Sequence, residues 1–130
     1  MREFDLFSLR DKVIAVTGVT GGLGTHFAEA LAWSGADLAL IDIPANKEKL
    51  AEVEKGLKEE YQVKTRSYPL DICDEQAVLY VSDNVLHDFG RIDGLLNVAG
   101  INFYGTVDEY RQEDYNRLMS VNVAGTFGCC

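Results

Sequence analysis

The residues of this 130-residue chain with the types and spacing for chemistry begin with a glycine turn, Thr17-Gly18-Val19-Thr20-Gly21-Gly22-Leu23-Gly24. Glycine at 18 permits a tight turn, at 22 a close approach of backbone to a ligand, and at 24 close packing of a helix on a strand. Where such a turn opens a helix, its free N–H groups and the helix dipole favour an anion, the dipole alone by about 0.3–1 kcal/mol. Gly18, Thr20, Gly22, Leu23 and Gly24 are therefore candidate contacts to a pyrophosphate. Asp42 stands 24 positions after Gly18, at the end of the apolar run DLALID, near the ~20 expected for a carboxylate that accepts from a ribose hydroxyl. The stretch Ile43-Pro44-Ala45-Asn46 that follows holds no cation to neutralise a 2′-phosphate, although Lys47 and Lys49 could reach back. Two unit charges ~4 Å apart repel by ~4 kcal/mol at an effective dielectric near 20. Half of that favours NAD over NADP more than tenfold, so Asp42 points to NAD.

These groups need a scaffold, and the hydrophobic pattern supplies one. Lys12–Thr17 and Asp37–Asp42 are short, nearly continuous apolar runs, as in parallel strands covered on both faces. Between them Leu23, Phe27, Ala30, Leu31 and Ser34 recur at helical spacing, and Gly35 ends the helix. A second helix is predicted over Asn46–Tyr61, with Leu50, Val53, Leu57 and Tyr61 on one face. Val63–Leu70 alternates polar and apolar residues, as an edge strand does. A helix over Asp74–Phe89 (Val78, Val81, Val85 and Phe89 inward, Gly90 closing), a strand over Ile92–Ala99 and a mostly helical Asp108–Cys130 complete the chain. Such alternation predicts one α/β domain with a doubly wound parallel sheet of the Rossmann type. Strand order 3-2-1-4 would put the polar third strand at an edge.

With the turn and Asp42 in this frame, the chain resembles the short-chain dehydrogenase/reductase family. The family's T-G-x-x-x-G-x-G turn is matched by Thr17–Gly24, and its N-(N)-A-G motif by Asn97-Val98-Ala99-Gly100, with Val98 in place of the commoner second Asn. Its adenine-holding Asp corresponds to Asp71, with Ile72 beside it, and the Asn of its catalytic tetrad to Asn122. The resemblance covers nearly the whole chain and implies that Asn97, Ala99 and Gly100 lie along the cofactor. Read from the residues alone, Asp71 ends a strand at the ligand-binding edge of the sheet, or serves as an acid ahead of the next helix. Asn122 follows Leu118 at helical spacing and faces inward among Val121, Val123 and Phe127, or is satisfied by local backbone.

The resemblance implies hydride transfer between a nicotinamide and a small carbonyl or secondary alcohol, with a Tyr as general acid/base and a Lys four residues later. No Y-x-x-x-K occurs here. The positions four after the six tyrosines are Thr65, Ile72, Asn84, Asp108, Asp114 and Met119, and the last lysine is Lys64. The chain thus reads as the cofactor-binding half of such an enzyme, truncated before the Tyr/Lys helix and the later strands, and inactive by itself. The alternative is a truncated, non-catalytic relic that binds nucleotide or pairs with another subunit. A methyltransferase of similar topology generally wants an acidic residue to open the glycine turn, where Thr17 stands.

Composition bounds the partners. Twelve basic against 21 acidic residues leave a formal charge of −9, which argues against nucleic acid and an anionic membrane surface. No apolar run approaches the roughly 20 residues of a membrane span, and MREFDLFSLRDK offers no signal-peptide core. Cys73, Cys129 and Cys130 form an odd set without C-x-x-C spacing, so a reducing, cytoplasmic setting is expected, with no disulfide framework and no metal. The helical residues His26 and His87 read as solvent-facing, with Asp83 and His87 spaced to pair. An uncovered apolar fourth strand, together with Val121, Val123 and Phe127, predicts a chain that associates or is poorly stable alone; the family resemblance implies a homo-oligomer in the full-length form. Leu6–Lys12 and Ile101-Asn102 are similar to family members acting on sugars and polyols.

Overall fold

Apolar strands with both faces to bury need helices on both sides, and the computed structural model, which describes residues 5–130, has that arrangement. The first residues of the stretch read for a signal core, 1–4, lie outside the described residues. Strands β1 (Val13–Thr17), β2 (Asp37–Asp42), β3 (Thr65–Pro69) and β4 (Gly94–Asn97) form a parallel sheet in the order β3-β2-β1-β4. Helices α1 (Gly22–Trp33), α2 (Lys47–Tyr61) and α3 (Glu75–Phe89) make the crossovers. After β4 come α4 (Gln112–Met119), a π-helical stretch (Ser120–Gly125) and α5 (Thr126–Cys129). The fold is the predicted doubly wound sheet. Its strands are shorter than the sequence reading at Val63–Leu70 and Ile92–Ala99, because the flanking residues leave the ladder to form loops at the sheet's ends.

The period of two within each strand divides the core into two layers. Val16, Leu38 and Leu40 meet Ala28 and Ala32 of α1 and Leu50 and Leu57 of α2. On the opposite face Ala15, Ala39, Ile41 and Tyr68 meet Val81 and Val85 of α3. Burying both faces removes about 1.5–3 kcal/mol worth of exposed apolar surface per large side chain. Strand β3 sits at an edge, as its polarity predicts, and side chains of the flanking helices reach it. Ser67 N–H donates to Glu54 Oε2 at 2.9 Å, and Tyr68 Oη donates to Asp88 Oδ2 at 2.7 Å.

Two expectations need correction. The buried stripe of α1 is Gly24, Ala28 and Ala32, whereas Leu23 and Phe27 are 68% and 43% exposed. Small residues four apart let α1 lie close against the sheet, and that proximity leaves no room for the larger ones beneath it. His87 pairs with Asp88, Nδ1 to Oδ1 at 3.3 Å, rather than with Asp83. Asp88 is held there by Tyr68 and by Arg66, whose Nη1 lies 3.0 Å from its Oδ1.

Candidate functional site

Because all four strands run the same way, their carboxyl ends gather the turn residues at one edge, and the chain leaves a groove of about 900 Å³ there. Its floor is the turn between β1 and α1. Gly18 has φ +67°, and a Cβ on it would stand 2.6 Å from Ala99 N, so glycine is required twice over. A Cβ on Gly24 would meet Gly18 O at 2.1 Å, which is the close helix–strand contact the motif implies. Gly22 is different: a Cβ there would find nothing within 4 Å. The first turn of α1 has no side-chain cap, and N–H groups at a helix start have no partner inside the helix. Open space above uncapped N–H groups at a helix N-terminus suits the diphosphate of a dinucleotide.

Asp42 closes β2 beside that turn, 7% exposed. Its Oδ2 accepts from Thr20 N–H and Thr20 Oγ1, both at 2.9 Å. Its Oδ1 accepts from Ile43 N–H at 2.8 Å and Asn46 Nδ2 at 2.9 Å. Burial alone would raise the carboxyl's pKa; the donors from Thr20, Asn46 and Ile43 outweigh it and hold Asp42 below its ordinary value. Asp42 is thus an anion fixed in the groove wall.

The third wall comes from β4 and the helices after it. The Thr17 hydroxyl, at the buried end of β1, accepts from both Val98 N–H and Ala99 N–H at 3.2 Å, which ties the N-V-A-G segment to the glycine turn. Asn122 accepts from Ile101 N–H and donates to Ile101 O, both at 2.8 Å. That partner lies 21 residues away, so the local-backbone alternative for Asn122 does not hold. Nor does the inward cluster with Val123 and Phe127, which are 52% and 82% exposed. The π-helical stretch widens the turn at this point and changes the register read from Leu118. Asp74, not Asp71, caps α3, accepting from Ala77 N–H at 3.1 Å; Asp71 lines the groove and also accepts from Cys73 N–H at 2.9 Å in the turn that leads into α3, so both readings of it stand.

Gly18, Thr20, Gly22, Leu23, Gly24, Asp42, Asp71, Ile72, Ala99 and Gly100 all line this one groove. Asn97 does not; its side chain reaches Cys130 Sγ at 3.7 Å. Asn122 does not line it either and acts on it through Ile101, which does. Sequence reasoning passed over Asn46 and Arg117, which also line the groove, as does Lys49, one of the two lysines expected to reach back. For Asn46 a signal existed in its position just ahead of a helix, where an Asn has a side chain to give to backbone or to a neighbour. Lys49 follows on the first turn of α2, as the spacing after Asp42 allows.

The model of the short chain dehydrogenase family matches residues 12–130. The chain belongs to the short-chain dehydrogenase/reductase family. It is 35% identical over 129 residues to D-threitol dehydrogenase of Mycolicibacterium smegmatis, covering 98% of this chain and 48% of that protein. It is 35% identical over 130 residues to NADP-dependent mannitol dehydrogenase of Hypocrea jecorina, again covering 98% of this chain and 48% of the relative. The crystal structure of NAD+-bound xylitol dehydrogenase superposes with a TM-score of 0.88 at 38% identity, over 93% of this chain and 46% of that one. This short-chain dehydrogenase/reductase chain therefore spans about half the length of the curated relatives it matches. Among the described residues no helix is long and apolar enough to cross a membrane.

Proposed function

We propose that this chain is the cofactor-binding half of an NAD-linked oxidoreductase that interconverts a polyol or sugar alcohol with its carbonyl form. The single observation that carries the cofactor choice is Asp42, an ionised carboxylate fixed by four donors in the groove wall. A 2′-phosphate beside it would bring two anions together, while a 2′-hydroxyl is a donor for it. Lys49 and Arg117 line the same groove, and a cation that reached the phosphate would offset part of that repulsion. The similar proteins include threitol, mannitol and xylitol dehydrogenases, which supports a polyol substrate.

The uncapped start of α1 above Gly22 would hold the diphosphate, Asp42 the adenosine ribose, Asp71 and Ile72 the adenine, and Ala99 and Gly100 the remaining ribose and ring. When bound, a nicotinamide gives or takes the hydride. The chain's own residues bind and orient: Thr17 and Asn122 hold the Val98–Ile101 segment from its two sides. No Y-x-x-x-K stands among these 130 residues, so the general acid/base is not supplied by them and turnover by this chain alone is not expected. A homo-oligomeric parent protein in the cytoplasm is the setting we assign to it.

The test is a titration of the protein with NAD and NADP, beside the Asp42→Ala variant. Wild-type protein binds NAD at least about tenfold more tightly than NADP, and Asp42→Ala narrows or reverses the ratio. Equal ratios in the two proteins would overturn the assignment of Asp42.

A further inference from the structure

An ionised carboxylate offers about four acceptor sites, and on Asp42 all of them are taken. Two of the donors, Thr20 N–H and Ile43 N–H, belong to the backbone and are fixed by the fold. The other two are side chains, one on each oxygen: Thr20 Oγ1 on Oδ2 and Asn46 Nδ2 on Oδ1. A ribose reaching this carboxylate brings two adjacent hydroxyls. The number and distribution of the exchangeable donors match those of a vicinal diol, one for each oxygen.

Asn46 gives a second, independent indication. It occupies the N-cap position of α2, where an Asn side chain ordinarily accepts from the helix N–H groups, yet it makes no such bond. Its amide is turned instead to Asp42 and, at 3.1 Å, to Thr20 Oγ1. That last bond keeps the two side chains joined to each other when both give up the carboxylate, and the freed Thr20 O–H and Asn46 N–H turn to the ligand's hydroxyl oxygens or to water.

We infer that the Thr20 hydroxyl and the Asn46 amide stand in for the two hydroxyls of a vicinal diol on Asp42, and that diol binding proceeds by exchange with them. The inference rests on the assignment of Asp42 to the adenosine ribose. It makes Thr20 and Asn46 positioning residues: they hold Asp42 ionised and aimed before a nucleotide arrives, and they reduce affinity by competing for it. They also favour a ligand with both hydroxyls, because a single hydroxyl recovers only one of the two exchanged bonds.

The experiment measures binding of ADP and of 2′,3′-dideoxy-ADP by calorimetric titration to the wild-type protein and to Asn46→Ala, Thr20→Val and Asp42→Ala. Thr20→Val preserves shape at a buried position, and Asn46→Ala removes no helix cap, so two independent variants carry the test. Asn46→Ala is expected to tighten ADP about threefold to fivefold and to leave dideoxy-ADP unchanged; Thr20→Val, at a residue that is also a candidate diphosphate contact, is expected to raise the ratio of ADP to dideoxy-ADP affinity by a similar factor. If that ratio is unchanged or lowered in both while Asp42→Ala lowers ADP binding, exchange is wrong and the role of Asp42 stands. If Asp42→Ala leaves ADP binding unchanged, or the wild-type protein does not bind ADP, the assignment of Asp42 falls and the exchange falls with it.

Discussion

Asn122 grips the peptide of Ile101 from both ends, its Oδ1 accepting from the Ile101 N–H and its Nδ2 donating to the Ile101 carbonyl, each at 2.8 Å. A side-chain amide used this way copies the pairing of a strand neighbour, and it does so where the chain has left β4 and no ladder is available. Gly100, just before, is close enough that a Cβ on it would stand 3.3 Å from Asn122 Oδ1. The π-helical stretch around Asn122 and the groove wall at Ala99–Ile101 are thereby one mechanical unit.

Asn122→Ala leaves both half-buried polar groups of Ile101 without these partners. The expected cost is about 1–3 kcal/mol of stability, with faster amide exchange at Ile101 than in the sheet. Thermal denaturation and hydrogen exchange check it together. Exchange at Ile101 that stays as slow as in wild type would show the grip to be dispensable.

The glycines of the turn separate stability from binding. Gly24→Ala forces a Cβ to within 2.1 Å of Gly18 O, and both atoms belong to rigid backbone, so a loss of at least about 3 kcal/mol is expected. Gly22→Ala meets nothing and sits in the first turn of α1, so the protein keeps its stability or gains up to about 1 kcal/mol. Nucleotide affinity is nevertheless expected to fall in Gly22→Ala, whose added methyl takes up part of the open space at the first turn of α1. Denaturant melts combined with ADP titration check the pair, and a Gly22→Ala protein that binds ADP normally would argue against that path for the diphosphate.

Much of this was legible from the residues alone, for identifiable reasons. Strand order followed from the strand–helix alternation of a doubly wound sheet, and the polarity of residues 63–70 agreed with an edge position for β3. The groove followed from Gly18, Asp42 and Asp71, which stand at or just past the ends of strands pointing the same way. The inward face of α1 did not follow, since hydrophobic periodicity favours Leu23 and Phe27 while close packing favours Gly24, Ala28 and Ala32. Asn46 also escaped, because its importance lies in two partners, one 26 positions upstream, and spacing rules see only near neighbours. Asn97 was legible as a motif letter but not as a geometry, and its side chain turns out of the groove.

Acid sensitivity follows from Asp42. Its pKa is held below the ordinary aspartate value, near 3.9 in an unfolded chain, so the folded state binds fewer protons there. The sign is then fixed: the carboxylate contributes stability above about pH 4 and loses it as the pH falls through the folded-state value. The melting-temperature difference between wild type and Asp42→Asn is expected to be constant from neutral pH to about pH 5 and to shrink below about pH 4. A difference that grows on acidification would mean that burial, not hydrogen bonding, dominates the carboxylate.

Association is the remaining consequence of the surface. Strand β4 stands at an edge of the four-stranded sheet, and Tyr115, Val123 and Phe127 are exposed on the helices that follow it. Exposed apolar side chains on neighbouring turns and an unpaired strand edge both lower their free energy by meeting another surface. The 130-residue chain is expected to sediment as more than a monomer at micromolar concentration. Val123→Glu with Phe127→Glu should shift it toward monomer without lowering its melting temperature by more than a degree or two, since neither side chain is buried. If the double variant sediments like wild type, the contact runs through the β4 edge instead, and a proline placed in β4 becomes the decisive change. A monomeric wild-type chain with a cooperative melt at high concentration would contradict both routes.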